Sequence, residues 1–264
     1  MTQSETPPSP KTVTAAVLVI GDEILSGRTQ DTNSSYIARW LGELGISLTE
    51  IRVVSDVEAD IVAALNALRA RYDYVFTTGG IGPTHDDITA DAVAVAFGVR
   101  IGHHPEAMQI LGAHYKQGEF TEARQRMARI PETAILIDNP ISKAPGFRIG
   151  NVFVMAGVPL IMQAMLDALR HHLTGGDKVL SRTIGGSVAE GHAAAALGDL
   201  QNRFPSVKMG SYPYFQRADP NSAKPSVYGV NFVLRSTDAG LLEQAAKGVS
   251  DIISALGAEP MERE

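Results

Sequence analysis

Not one of the 264 residues is a cysteine. Disulfides, thiolate metal sites and cysteine nucleophiles are thereby excluded. The absence fits a reducing compartment, and a cytoplasmic protein is the default expectation. No apolar run approaches the roughly 18 residues of a membrane span, so neither a span nor a membrane partner is expected. A basic excess is missing too. There are 23 Lys and Arg against 29 Asp and Glu, a formal net charge of −6. That balance argues against general affinity for nucleic acid, but not against one nucleotide held locally. Several motifs are absent. Without G-x-x-x-x-G-K-[ST] there is no P-loop, and without G-x-G-x-x-G no standard dinucleotide fingerprint. Neither G-x-S-x-G nor H-E-x-x-H occurs. The sequence contains no internal repeat.

What is present is ordinary in bulk. A hydrophobic share of 44% suits a globular chain with a sizeable core. Residues 1–11 carry three prolines and no apolar core, and read as a disordered tail. Val13 to Ile20 is nearly all apolar, the pattern of a strand buried on both faces. A helix with Ile37, Trp40 and Leu41 on one face follows, then a strand over Ser47 to Val54. A helix with Ile61, Leu65 and Leu68 inward leads to a third strand at Tyr74 to Thr77. This alternation calls for a mostly parallel sheet with helices on both faces, a three-layer α/β/α domain over residues 12–174. Gly102 to Ile130 reads as two polar helices broken at Gly118, with Arg124, Arg126 and Arg129 on a solvated face. Arg148 to Met155 suggests a hairpin about Gly150-Asn151. Thr174-Gly175-Gly176-Asp177 marks a boundary. A small α+β domain over residues 175–264 follows, with a loop at Pro213 to Pro225.

The chemistry gathers at strand ends. Thr77 to Thr89 (TTGGIGPTHDDIT) sits between a strand and a helix. Glycines let backbone approach a ligand closely, and a strand–loop–helix unit aims N–H groups at an anion. Asp86 and Asp87 would repel a bare phosphate, which suggests a metal ion or acid/base work; the bland alternative is a glycine turn with an Asp cap. Right-handed crossovers would bring Gly21-Asp22-Glu23, Asp56 and this loop to one rim, provided the first and third strands are close in the sheet. Ser26, Asn33, Thr78, Thr84 and Thr89 surround those acids. An oxygen-rich set without thiolates suits a hard divalent ion such as Mg²⁺, which normally bridges to substrate phosphates. His85 could meet a metal or phosphate or could be a surface residue. The pairs His103-His104 and His171-His172 read as surface features. Lys143 could reach an anion if its loop faces the rim, and is otherwise a solvated lysine.

Taken together, Gly21-Asp22-Glu23-Ile24-Leu25-Ser26-Gly27, Asp31-Thr32-Asn33, Asp56 and the Thr77–Thr89 loop resemble the molybdopterin-binding (MoaB/Mog-like) domain. The Thr84-His85-Asp86-Asp87 form, with Arg126-Met127-Ala128 and Ala144-Pro145-Gly146-Phe147, is most similar to the N-terminal region of competence/damage-inducible protein A (CinA). The resemblance runs from about residue 13 into the small domain. It implies a pterin or nucleotide bound over the glycine loop, and a homo-oligomer, expected as a dimer. In the CinA branch it implies a pyrophosphatase for ADP-ribose-like nucleotides or FAD, assisted by a divalent metal (Mg²⁺ or Co²⁺) and by K⁺. In the Mog branch it implies adenylylation of molybdopterin. Carried over by position, Asp56 and Asp87 match acids implicated in the Mog branch, and Asp22, Glu23, Thr78, Gly79, Gly80 and Asp86 match the shared pocket. The expected assignment has Gly79 to Gly82 with Pro83, Thr84, Gly21, Ser26, Asn33 and Lys143 on the substrate. It has Asp22, Asp86 and Asp87 on the metal, and Glu23 or Asp56 orienting water. Two features depart from the family pattern: Ala156 stands for its proline, and Ile161 for an acid. The C-terminal deamidase domain of full CinA is not expected here.

Overall fold

The computed structural model describes residues 11–216 and 227–263. The expected tail, apart from Lys11, and most of the expected Pro213–Pro225 loop lie outside those residues. The chain divides into two compact units between Asp177 and Lys178. Asp177 closes the first unit, since its amide donates to the Lys11 carbonyl at 3.1 Å and its carboxylate accepts from the Lys11 amide at 3.0 Å.

In chain order the first unit runs β1 (Val13–Ile20), the one-turn α1 (Asp22–Leu25), α2 (Asn33–Glu43), β2 (Ile46–Val54), α3 (Glu58–Arg71), β3 (Tyr74–Thr78) and α4 (Thr89–Phe97). It continues with β4 (Ile101–His103), α5 (Pro105–His114), α6 (Glu122–Gln125), β5 (Arg129–Pro131), β6 (Ile135–Ile137), β7 (Gly146–Ile149), β8 (Val152–Met155) and α7 (Pro159–Leu169). The main sheet has the order β2-β1-β3-β8-β7-β6. β2, β1, β3 and β8 are mutually parallel, and β7 runs antiparallel to both its neighbours.

Alternation along β1 builds the layers. Ala16, Leu18 and Ile20 enter one core with Ile61, Leu65 and Leu68 of α3, Val93 of α4 and Leu111 of α5. Ala15, Val17 and Val19 enter the other, with Ile37, Trp40 and Leu41 of α2 and Met162, Met165 and Leu166 of α7. A continuous apolar run is therefore what a strand covered on both faces requires. The three-layer α/β/α expectation is borne out. So is the hairpin around Gly150-Asn151. β1 and β3 are direct neighbours, paired from Ala15 with Tyr74 to Val19 with Thr78. The condition for the two loops to share a rim is therefore met.

Helix α2 starts where capping chemistry places it. Asp31 Oδ1 accepts from the amides of Asn33 at 2.9 Å and Ser34 at 3.1 Å. Asp31→Ala leaves those amides without a partner, and thermal unfolding should show about 1 kcal/mol of lost stability.

The Gly102–Ile130 reading needs correction. Its helices α5 and α6 are bracketed by β4 and β5, which pair antiparallel from Ile101 with Pro131 to His103 with Arg129. Nor is the arginine cluster merely solvated. Arg129 Nη2 donates to Asp91 Oδ1 at 2.6 Å, and the Arg124 guanidinium stands 4.3 Å from the centre of the Tyr115 ring.

The second unit contains β9 (Leu180–Gly186), α8 (Glu190–Arg203), β10 (Lys208–Gln216), β11 (Val227–Ser236), α9 (Ala239–Ala255) and β12 (Met261–Arg263). Its sheet order is β10-β11-β9-β12, with every neighbouring pair antiparallel. This β-α-β-β-α-β path has the ferredoxin-like arrangement. Ile184, Phe232 and Leu234 pack under Leu200, Leu242 and Val249. The small α+β expectation is borne out, with β12 as an unforeseen last strand. β10 extends through Pro213, which the sequence reading placed in a loop. It lies at the sheet edge, where proline's missing N–H costs no ladder bond. Among the described residues, no helix is long and apolar enough to cross a membrane.

Candidate functional site

Four neighbouring parallel strands end on one rim, and each delivers part of a site. β1 leads into Gly21-Asp22-Glu23, β2 into Ser55-Asp56, β3 into the glycine loop, and β8 into Ala156-Gly157. Ligands of open α/β sheets bind at such carboxyl ends.

The loop after β3 is closed by its own residues. The Gly79 amide donates to the Met155 carbonyl at 3.3 Å. The fully buried Thr89 begins α4 and locks the loop from the other side. Its hydroxyl donates to Gly79 O at 2.9 Å, and its amide donates to Gly80 O at 3.0 Å. Farther on, Asp87 Oδ2 accepts from the Thr84 amide at 2.8 Å and the Thr84 hydroxyl at 2.5 Å, leaving Oδ1 outside both bonds. Among the described residues, the amides of Gly80, Ile81 and Gly82 donate to no internal acceptor. The run of unbonded loop amides is thus shorter than the Gly79–Gly82 span expected from sequence to hold an anion, because Gly79 spends its N–H on β8.

A cleft of about 530 Å³ opens over this loop. Glu23, Gly79, Gly80, Gly82, Pro83 and Asp87 line it, all named from sequence. Thr78 and Asn33 line a small cavity beside it. Asn33 Nδ2 donates to the Gly157 carbonyl at 2.7 Å, tying α2 to the turn after β8. Thr29, Met127, Asn139, Ser142 and Val158 also line the cleft and escaped the sequence reading. Met127 and Ala144 lay inside the motifs that carried the family resemblance, which was the available signal.

Other expected residues stand off the cleft. Gly21, Asp22, Ser26, Asp56, Thr84, Asp86 and Lys143 do not line it. Gly21 instead leaves room for Glu23: a Cβ there would come within 2.5 Å of the Glu23 carboxylate. Ser26 Oγ donates back to the Glu23 carbonyl at 3.3 Å. Asp56 accepts from the Asp22 amide at 2.9 Å, so it caps α1, the turn that carries Glu23. Thr84 and Asp87 fasten one another. Lys143 has a left-handed backbone, φ 62°, the sole non-glycine case among the described residues. Asn139 holds that turn, accepting from the amides of Ile141 and Ser142 and donating to Ser142 Oγ and the Ala144 carbonyl. The His85 side chain is almost wholly exposed and lies 3.9 Å from Asp86.

The rim acids do feel one another. Burial pushes Asp56 above its ordinary value, and the charges of Asp22, Glu23 and Asp86 add to that push, while the bond from the Asp22 amide opposes it. Asp86 is held below the ordinary carboxylate value by the Thr84 hydroxyl first, then by its own amide and by His85. The sign for Asp56 follows from linkage. A raised native value means the native state binds the proton more tightly, so stability falls as pH rises above 3.8 through the native value. Asp56→Asn keeps an acceptor for the Asp22 amide and removes the half-buried charge. Its unfolding midpoint at pH 7 should equal or exceed that of the parent, and the decline with pH should flatten. Asp56→Ala, which frees the amide, should lower it.

Among the described residues, no three Asp, Glu or His side chains are arranged to hold a metal ion. The expected Asp22-Asp86-Asp87 set is not assembled, because Asp22 and Asp86 lie off the cleft and Asp87 turns one oxygen to Thr84. Glu23 and Asp87 are the two carboxylates on the cleft. Carboxylate oxygens of this kind are donors that a hard divalent ion accepts.

Residues 16–174 match a family model described as a probable molybdopterin binding domain. Residues 178–259 match one for the middle domain of FAD synthase, so the second unit has a relative of its own beyond the CinA likeness read from sequence. A probable FAD synthase of Caenorhabditis elegans is 33% identical over 234 residues, covering 79% of this chain and 45% of that protein. A CinA-like protein of Citrifermentans bemidjiense is 44% identical over 158 residues, covering 58% of this chain and 38% of that protein. The chain therefore spans less than half the length of these two relatives. Among solved structures, CinA of Thermoplasma acidophilum, described as of unknown function, aligns with a TM-score of 0.58 at 33% identity. That alignment covers 61% of this chain and 98% of that one.

Proposed function

Because this chain belongs to the molybdopterin-binding domain family, we propose that its cleft hydrolyses the diphosphate of a dinucleotide, FAD or ADP-ribose, to two monophosphates. One observation carries the reading: unspent amides of Gly80, Ile81 and Gly82 share a cleft with the carboxylates of Glu23 and Asp87. Backbone N–H groups in a tight glycine loop hold phosphate oxygens and the charge that develops on them. Glu23, whose side chain makes no hydrogen bond among the described residues, is the base. Water attacks one phosphorus and the bond to the bridging oxygen breaks. That oxygen leaves with the second phosphate, and Glu23 takes the proton of the attacking water. Asp87 pins the far end of the loop through Thr84 and keeps Oδ1 toward the charge balance of the site. A divalent ion carried in with the diphosphate would be held by Asp87 and would neutralise phosphate charge. The likeness to a probable FAD synthase supports a flavin-containing dinucleotide among the substrates.

The test is release of AMP from FAD or ADP-ribose with Mg²⁺ or Co²⁺ and K⁺ present. No AMP from either nucleotide removes the proposal. The family description also favours a pterin ligand. If molybdopterin with ATP yields an adenylylated product while FAD stays intact, the site is an adenylyl transferase.

A further inference from the structure

Helices α8 and α9 both pack on one face of the second unit's sheet. Along β11, Val230, Phe232 and Leu234 enter the core beneath them. Asn231, Val233 and Arg235 alternate with that set and turn to the opposite face. The register carries the outward set across the sheet. Tyr212 and Tyr214 of β10 stand opposite Asn231 and Gly229, and Arg263 of β12 stands opposite Thr183 of β9. None of these outward residues belongs to the core under the helices.

The outward face is built flat. Gly210, Gly229 and Gly185 take outward positions on β10, β11 and β9, and each has a planar side chain laid against it. A Cβ on Gly210 would come within 3.0 Å of the Tyr212 ring, and one on Gly185 within 2.6 Å of Arg263 Nε. A Cβ on Gly229 would overlap the Tyr214 hydroxyl. None of the three glycines has a positive φ, so what glycine supplies here is space. The Arg263 guanidinium stands 4.5 Å from the centre of the Tyr214 ring and donates to its hydroxyl at 2.7 Å. Tyr212, two residues along the strand and so about 7 Å away, remains 54% exposed. That separation leaves room for one base on Tyr212 and another on the Arg263–Tyr214 pair.

The charge on this face has one sign. Among the described residues, those charged at outward positions are Lys208, Arg235 and Arg263. The nearby acids Glu243 and Glu262 are turned the other way, onto Arg182 at a helix-facing position. A basic face is thus set on a chain of net charge −6. A second copy laid face to face would put cation against cation, which disfavours self-association. Flat aromatic and guanidinium surfaces beside unpaired cations are instead what a single strand of nucleic acid requires, its bases stacked and its phosphates neutralised.

We propose that the open sheet face of the second unit binds a short single-stranded nucleic acid, with Tyr212 and the Arg263–Tyr214 pair under successive bases and Lys208 and Arg235 on the phosphates. The net negative charge of the whole chain confines that binding to this face.

The test titrates the full chain into labelled eight-nucleotide strands and follows anisotropy. Oligo(U) is expected to bind about tenfold tighter than an abasic strand of equal length. Oligo(dT) matching oligo(U) makes DNA an equal ligand, and a tenfold deficit restricts the ligand to RNA; both outcomes support the face. Tyr212→Ala should remove the advantage over the abasic strand, and Tyr212→Phe should keep it. With two phosphate contacts, the logarithm of affinity should fall against the logarithm of salt with a slope of about 1.4, and Arg235→Gln should halve that slope. This second variant leaves the aromatic surface intact and serves if Tyr212→Ala fails to fold. An abasic strand or a glutamate-rich peptide binding as tightly as oligo(U) overturns the proposal, and so does undiminished oligo(U) binding by folded Tyr212→Ala protein.

Discussion

Glu23→Gln is expected to lower kcat for AMP release from FAD by about 10³-fold while leaving unfolding within about 0.5 kcal/mol of the parent. The two halves of that expectation have separate causes. Glu23 lines the cleft on the one-turn helix α1, and its placement comes from backbone: Gly21 leaves space for its carboxylate, and Asp56 caps the turn through the Asp22 amide. Glutamine keeps the shape and burial, so the turn survives. It cannot accept the proton of an attacking water, so the acid–base contribution disappears. Asp87→Asn makes a useful contrast. It weakens the bonds from the Thr84 amide and hydroxyl as well as the site's charge, so activity and loop order should fall together. A Glu23→Gln enzyme with parental kcat would show that the base lies elsewhere.

Gly79→Ala should cost about 3 kcal/mol or more in a urea unfolding measurement. Gly79 has φ 102°, a conformation that L side chains rarely adopt, and an added Cβ would overlap the Ile20 carbonyl oxygen of β1. That neighbour is sheet backbone and has nowhere to move. At Gly82 the comparison inverts. The nearest atoms to an added Cβ are the Asp87 carboxylate oxygens, a side chain that can rotate away once its bonds from Thr84 loosen. Gly82→Ala should therefore cost about 1 kcal/mol of stability and act mainly on phosphate binding. Similar losses at both positions would contradict the distinction between a glycine that packs the sheet and one that serves the ligand.

Much of this arrangement was legible in the chain. The apolar run Val13–Ile20 requires cover on both faces, and α2, α3, α4 and α7 supply it. The polar residues directly after β1, β2 and β3 had to fall on one rim once β1 and β3 were neighbours. Sequence reasoning could not assign individual roles on that rim. Whether Asp56 faces ligand or backbone depends on the Asp22 amide, 34 residues away in sequence. Whether Gly79 offers its N–H depends on Met155 of β8, a strand that pairs in only after the β7 hairpin. Met127 and Ser142 arrive from segments with no strong period. β4, β5 and β12, at three residues each, are too short for alternation to register.

The central claim is that one cleft holds the diphosphate on three particular amides. Proton–nitrogen correlation spectra recorded while titrating a non-hydrolysable dinucleotide diphosphate test it most directly. The amides of Gly80, Ile81 and Gly82 are expected to shift most, with the Gly79 amide, bonded to Met155, shifting little. Undisturbed loop amides, with shifts centred instead on the second unit's cavity around Glu190, Ser211 and Phe232, would contradict it.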